Sequence, residues 1–388
     1  MTRMVFCKRF KKELPGLESP PLPGPAGEEI FENSSKRAWE EWQKLQVMLI
    51  NEKHLNLREK ESRKYITVNE YFSQVKSIIF TNSRHLKEEN KKFGKLNGDI
   101  TFYVIRRTPP GAGLFSNYLL VLMHLKYAEL NNLTPVIDYK NYSNYYSGKS
   151  HSTSENYWDN YWDQPTKYNL DEVYQSSNVI LSSANISKLL EKNYGYYDLN
   201  SKKFLENQRQ INDFNGISNS IKLRSSVEEK VNNDLKSIFA SKQNILGISL
   251  RGTDYLNTNL AKGHYKPLNI DEAILLTEKK LVEWKMDYIF VCTEVKEYIE
   301  LFVQRFGEKA LFLRRQRFSN SQSEKFITQY RFKRNNDSFE TGLEYLREVY
   351  LFSKCDSIIG TVSGGFNSAT ILNDKKFQNF KIMDKGLI

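Results

Sequence analysis

Apolar residues return along this chain in two rhythms, and the change from one to the other divides it. From about Ser35 to Asn51, Trp39, Trp42, Leu45, Gln46, Leu49 and Ile50 recur at three- and four-residue spacing. That spacing puts the apolar members on one face of a helix. Asn56 followed three residues later by Glu59 has the form of a helix start and predicts a second helix to about Ile78. Upstream, the apolar run Met4-Val5-Phe6-Cys7 leads into Leu14–Gly27, so dense in Pro and Gly that a loop is expected there instead of a regular element. Thr81–Gly98 is polar, rich in Lys and Asn and unpatterned, and reads as a linker.

Beyond Gly98 the pattern becomes short apolar runs alternating with longer amphipathic stretches. Ile100–Ile105 reads as a strand, Thr108–Gly113 as a glycine turn, Ser116 to about Asn131 as a helix and Pro135–Asp138 as the next strand. Strand, turn, helix, strand is the βαβ unit of a parallel sheet. Residues 140–165 are rich in Tyr, Asn and Trp without periodicity, as expected of a long loop over a cleft. After a helical stretch near 200–240, a second series begins at Ile245–Leu250. It continues through a helix near 270–284, a strand at Tyr288–Cys292, a helix near 295–306 and a short strand at Ala310–Leu313. A helix near 341–353, the strand Ser357–Gly360 and a final helix complete it. The expected fold is multi-domain: a small, mainly helical N-terminal domain (1–78), a linker (79–98), and an α/β region of two Rossmann-like lobes (99–240 and 241–388) with a cleft between them.

Composition narrows the function classes. Of 388 residues, 39% are hydrophobic and 13% aromatic, enough for packed cores and too much for a disordered chain. The 23 Tyr and 23 Phe suit clefts for sugars or bases, although most serve cores. The formal charge of +11 favours anionic partners. Because the basic residues are spread and mixed with acids, a phosphate-bearing small molecule or weak attraction to an anionic membrane face fits better than specific nucleic-acid binding. Cys7, Cys292 and Cys355 are far apart and form no CxxC pair. A disulfide framework or zinc knuckle is therefore not expected, and a reducing compartment is. With no apolar leader and no run able to span a bilayer, the chain reads as cytoplasmic.

The N-terminal residues carry a resemblance. Val5-Phe6-Cys7 is followed by Pro21-Leu22-Pro23-Gly24, Gly27, Ile30, Ser35, Ala38-Trp39, Trp42 and Gln46. Met48-Leu49-Ile50-Asn51-Glu52, Leu55-Asn56 and Arg63 complete the set. In this order and spacing, Met1 to about Phe72 resembles the bacterial Fe(2+)-trafficking (YggX) family. The resemblance implies supply of ferrous iron to iron–sulfur cluster synthesis or repair, protection from oxidative damage, and partners among iron-requiring or iron–sulfur assembly proteins. Cys7 would be the redox residue, its thiol activated in a mobile basic neighbourhood of Lys8, Arg9, Lys11 and Lys12. The alternative is a small apolar residue packed under the helix. Glu28, Glu29, Glu32, Glu52 and His54 have the chemistry of iron ligands, but exposed glutamates on helices are ordinarily solvated, and the ligand set stays open. After Phe72 the chain departs from the family pattern.

Four motifs mark the C-terminal region. Gly111-Ala-Gly113, with Asn117 shortly after, sits where a strand feeds a helix, which suits an anion at the helix start or a plain tight turn. Ser249-Leu-Arg251-Gly-Thr-Asp254 follows a buried strand and places Arg251 at its carboxyl end. A guanidinium there fits a diphosphate, with Asp254 to hold it; a surface Arg–Asp pair is the alternative. Thr293 and Glu294 end another strand, placed for ribose or base. Thr361 and Ser363 lie in a hydroxyl- and glycine-rich turn that opens the last helix and offers N–H groups to a phosphate.

In this order the motifs resemble the superfamily of α1,2-, α1,6- and protein O-fucosyltransferases, over about residues 98–388. The family histidine is Ser249 here and its second arginine is Gly252. The resemblance implies a GT-B-like fold and inverting transfer from a GDP-sugar to a glycan acceptor, without an essential metal. Arg251 would stabilise the leaving diphosphate, and Gly111, Gly113, Asn117, Asp254, Thr293, Glu294, Thr361 and Ser363 would form the nucleotide site. No base is assigned; Asp138, Glu155 and Asp159 are the candidates. Two other readings stand beside this one: a surface-glycan glycosyltransferase with an incidental iron domain, and a nucleotide-binding module without catalysis.

Overall fold

The computed structural model describes residues 3–7, 10, 12–21, 25–41, 43, 86–108, 111–142, 144, 146 and 156–388. The chain divides into two compact units, Met1–His85 and Leu86–Ile388.

In the first unit, β1 (Met4–Cys7) pairs antiparallel with β2 (Lys12–Pro15), Met4 opposite Pro15 and Cys7 opposite Lys12. Successive side chains of a strand point to opposite faces, so Val5 and Cys7 are buried while Met4 and Phe6 are exposed. The stretch expected as loop, 14–27, instead ends one strand and opens a helix, Pro25–Asn33. Proline at the first helical position loses no hydrogen bond, which explains the difference. Ile30 and Ala38 are buried. Ser35 Oγ accepts from the Ala38 N–H at 3.2 Å, a helix cap, and residues 36–41 are helical. The rest of the two expected helices lies outside the described residues.

The second unit holds two sheets. In the four-stranded sheet, β3 (Glu89–Lys91), β6 (Val179–Leu181), β4 (Phe102–Ile105) and β5 (Thr134–Ile137) lie in the order β3-β6-β4-β5, with only β3 antiparallel. Residues 86–98 are thus not linker, because they contribute the edge strand. Arg106, only 4% exposed, secures that segment by donating to the Lys87 carbonyl (2.8 Å) and to Glu89 (3.2 Å).

The five-stranded sheet is wholly parallel, in the order β11-β10-β7-β8-β9. Its strands are β11 (Asn379–Ile382), β10 (Ser357–Gly360), β7 (Ile245–Leu250), β8 (Tyr288–Thr293) and β9 (Ala310–Leu311). All six residues of β7 are buried, as in a strand covered on both faces. The chain runs outward from β7 to β8 and β9, then returns to β10 on the other side of β7. Ligands bind beyond the carboxyl ends of the strands at such a reversal.

Twelve of the seventeen residues of the helix Leu114–Leu130 are buried, consistent with its apolar circumference. The expected loop at 140–165 is in part core. Tyr157–Asn160 forms a short 3₁₀ turn, and Trp158 and Trp162, both buried, stack on each other at 4.5 Å and on Tyr118 at 6.3 and 5.2 Å. Irregular backbone there hides the aromatic packing from periodicity.

His124 lies wholly inside this core, Nδ1 2.8 Å from the Tyr103 hydroxyl, and its Nε2 has no partner among the described residues. Burial, with Arg107 and Arg106 adding to it, lowers its pKa from 6.5 to about 3. The unfolded chain therefore binds a proton in this window that the folded chain refuses, so stability rises with pH between these values. Going from pH 7.5 to 5, the wild type is expected to lose about 2 kcal/mol more than His124→Gln. Urea titrations at both pH values measure it, and identical slopes would refute the buried neutral imidazole.

Candidate active site

At the carboxyl end of β7 the chain turns sharply. Thr253, a β-branched residue, is held at φ 48°, a conformation that costs energy and persists only where surroundings enforce it. Glu294 enforces it: Oε1 accepts from the Gly252 N–H at 2.8 Å and lies 3.2 Å from the Thr253 hydroxyl. The turn carries Arg251, whose Nη1 donates to Glu294 Oε2 (3.3 Å) and Nη2 to Asp254 Oδ1 (3.2 Å). Its guanidinium lies over the Tyr255 ring, 4.3 Å from the centroid. Burial opposes the charge, but Glu294 and Asp254 outweigh it and raise the pKa, so Arg251 is always a cation. Nε has no partner among the described residues.

Arg251 faces a cleft of 510 Å³, a size ordinary for small-molecule sites. Across it, Gly113, Ser116, Ser363 and Gly364 line the wall where two helices begin, Leu114–Leu130 and Gly364–Leu372. The two starts are close: a Cβ on Gly364 would stand 3.0 Å from the Ser116 nitrogen. Ser363 caps the second helix through the Phe366 N–H, while Gly113 supplies no side-chain cap to the first. Helix N-termini favour anions. Gly111, at φ 74°, also lines the cleft.

The other expected site residues are placed less directly. Asn117 is buried and shapes the glycine loop, exchanging hydrogen bonds with the Ala112 N–H and carbonyl at 3.2 and 3.1 Å. Thr293 and Thr361 are buried behind the wall and are not among the cleft residues. Glu294 reaches the cleft, but its oxygens hold Arg251 and the turn instead of standing open for a ribose. Of the candidate bases, Asp138 is fully buried and accepts from Tyr174 (2.6 Å) and from the N–H groups of Lys140 and Asn141. Asp159 accepts from Gln164 at 2.7 Å. Both are structural, and Glu155 lies outside the described residues.

Sequence reasoning missed Arg315, Tyr255, His264 and Tyr345, all lining the cleft. Arg315 stands just past the strand expected at Ala310–Leu313, so the strand-end rule that found Arg251 had the means to find it, although β9 itself ends at Leu311. His264, 3.2 Å from the Tyr255 hydroxyl, has its pKa lowered by burial and by Arg251, which keeps the ring neutral near pH 7.

In the first unit Cys7 was expected in a mobile setting, and the structure puts it on β1 with 0% exposure, its sulfur 3.2 Å from Ser35 Oγ. Glu28 and Glu32 are exposed. Glu52 and His54 lie outside the described residues, as does the Glu29 side chain. Among the described residues no group of three His, Cys, Asp or Glu can hold a metal.

The geometry thus defines a chain of two units, a small one with a buried thiol and an α/β one with an arginine-lined cleft. Through its first unit the chain belongs to the bacterial Fe(2+) trafficking family, whose model matches residues 1–83. The probable Fe(2+)-trafficking protein of Marinobacter nauticus is 52% identical over 86 residues, 20% of this chain and 96% of the relative. That of Azotobacter vinelandii is 58% identical over 66 residues, 17% of this chain and 73% of the relative. Among solved structures, fucosyltransferase NodZ from Bradyrhizobium matches at 14% identity and TM-score 0.41, covering 70% of this chain and 92% of NodZ. POFUT1 in complex with GDP matches at 9% identity and TM-score 0.38, covering 74% and 99%. Likeness of this order says nothing about substrate.

Proposed function

We propose that residues 86–388 are a glycosyltransferase that takes a sugar from a nucleoside diphosphate, of the GDP-sugar type, to a glycan hydroxyl. The carrying observation is Arg251, clamped between Asp254 and Glu294 at the sheet's reversal point and lining a cleft that two helix starts also line. The acceptor hydroxyl oxygen forms its bond to the anomeric carbon as the bond from that carbon to the diphosphate breaks, and the hydroxyl proton passes to water or to the departing diphosphate. Electrons pass to the leaving phosphate oxygen, and a preorganised guanidinium opposes the charge that grows there. The motif order around Arg251, Thr293 and Thr361 supports the GDP-sugar class.

Thermal unfolding tests this. GDP or GDP-fucose at 100 times its dissociation constant should stabilise the second unit by about 2.7 kcal/mol, with UDP giving a smaller shift. Equal indifference to all three nucleotides would end the donor reading.

For the first unit the reading is carriage of ferrous iron to iron-requiring or iron–sulfur assembly proteins, supported by family membership. Cys7 serves as its redox group when β1 and the segment at Ser35 part, since in the folded unit the sulfur is buried against Ser35. An opening cost of about 2.7 kcal/mol makes disulfide-reagent labelling of native Cys7 about a hundred-fold slower than of a free thiol. A fast-labelling thiol that disappears in Cys7→Ser would show β1 and Ser35 parted at rest.

A further inference from the structure

Behind the cleft two guanidinium groups share one carboxylate. Arg315 donates to Glu348 from Nη2 (2.8 Å) and Nε (3.1 Å), and Arg317 from Nη2 (2.7 Å). The side chains of Arg315, Arg317 and Glu348 are 3%, 6% and 0% exposed. Along the same helix, Arg334 pairs with both Glu344 and Asp337 at 2.8 and 2.7 Å, and Glu344 also adds its negative charge to the surroundings of Arg315. Cys292 adds only a thiol, 3.6 Å from Glu348. Taken together, Arg315, Arg317 and Arg334 face Glu348, Glu344 and Asp337, so the cluster holds Arg315 as a fixed cation.

The two arginines differ in one respect. Arg315 lines the cleft and Arg317 does not. Four N–H groups of Arg315 are spent on Glu348, the Thr293 carbonyl (3.0 Å) and, weakly, the Gln316 carbonyl (3.4 Å), leaving one on Nη1. Arg315 and Arg251 also converge on one place, the end of β8, through the Thr293 carbonyl and the Glu294 carboxylate. Gly252 has no room for a second cation beside Arg251: a Cβ there would stand 2.6 Å from Val295 Cγ2 and 2.8 Å from Asn320 Oδ1.

We propose that Arg315 is the second phosphate-binding cation of the cleft, arriving from beyond β9 where the β7 turn cannot carry one, and that its remaining N–H is spent on a bound diphosphate. This rests on the nucleotide-diphosphate reading above. Arg251 and Arg315 together select a diphosphate over a monophosphate, because the second phosphate adds the negative charge and acceptor oxygens that a second cation rewards.

Calorimetry on the full chain with GDP, GMP and inorganic pyrophosphate tests it. Arg315→Met should weaken GDP and pyrophosphate by about thirtyfold and GMP by less than about threefold. Arg317→Met, which removes the partner with the same carboxylate and similar burial, should leave GDP within about threefold of wild type. Equal losses in both variants, or GDP affinity unchanged in Arg315→Met, would overturn the assignment while leaving the donor reading in place. A wild type that binds neither GDP nor pyrophosphate removes the donor reading, and this assignment with it.

Discussion

Arg251→Lys should lower GDP affinity at least about a hundred-fold while the chain still folds. Lysine keeps a positive charge between Asp254 and Glu294 but offers a point charge where arginine offers a planar fork. Two charge-assisted hydrogen bonds, each worth about 1.5–3 kcal/mol, account for two or more powers of ten. Alanine is the less informative substitution. It leaves two nearly buried carboxylates, 8% and 7% exposed at their side chains, without their cation. A broken pair of that kind costs about 3–5 kcal/mol, so Arg251→Ala loses binding and stability together. Calorimetry with GDP beside a thermal scan separates the two effects. If Arg251→Lys bound GDP within threefold of a wild type that binds it well, the phosphate role of Arg251 would be wrong.

A loss of stability as large as that of Arg251→Ala is expected at Glu348, which is not among the cleft residues. Glu348→Gln leaves Arg315 and Arg317 facing an amide in a site that water does not reach. The expected cost is about 3–5 kcal/mol, or roughly 5–10 °C in the melting of the second unit. Pairing it with Arg317→Gln removes one uncompensated cation and should recover at least about 1.5 kcal/mol, a coupling that neighbours sharing a charge can show. Ligand should also matter more in the single variant, since a diphosphate brings negative charge to Arg315. A Glu348→Gln chain within about 1 kcal/mol of wild type would mean that the cluster is hydrated and that its charges are not confined.

Much of the α/β region was legible because its elements are long and uniformly apolar. Ile245–Leu250 and Tyr288–Thr293 stand out as buried parallel strands from composition alone, and the strand-end position of Arg251 follows from them. What failed did so for local reasons. Glu89–Lys91 has a polar sequence because it is an edge strand held by backbone pairing to β6 and by Arg106, neither visible along the chain. The Trp158 and Trp162 plug packs irregular backbone, so no period marks it.

By itself the sequence determined membership in the Fe(2+) trafficking family, the order of strands and helices from Ile245 through the helix Gly364–Leu372, and a cation at the end of β7, since these depend on residue identity, local spacing and burial of whole runs. Only the tertiary structure decided which side chains meet: that Glu294 braces Arg251 instead of standing open, that Asp138 is spent on Tyr174, that Cys7 is covered, and that Arg315 shares the cleft. Their positions lie 43, 36, 28 and 64 residues from the partners or counterparts concerned, Arg315 lying 315 − 251 = 64 from Arg251. Contacts over such separations are set by how sheets and helices pack, which no local pattern encodes.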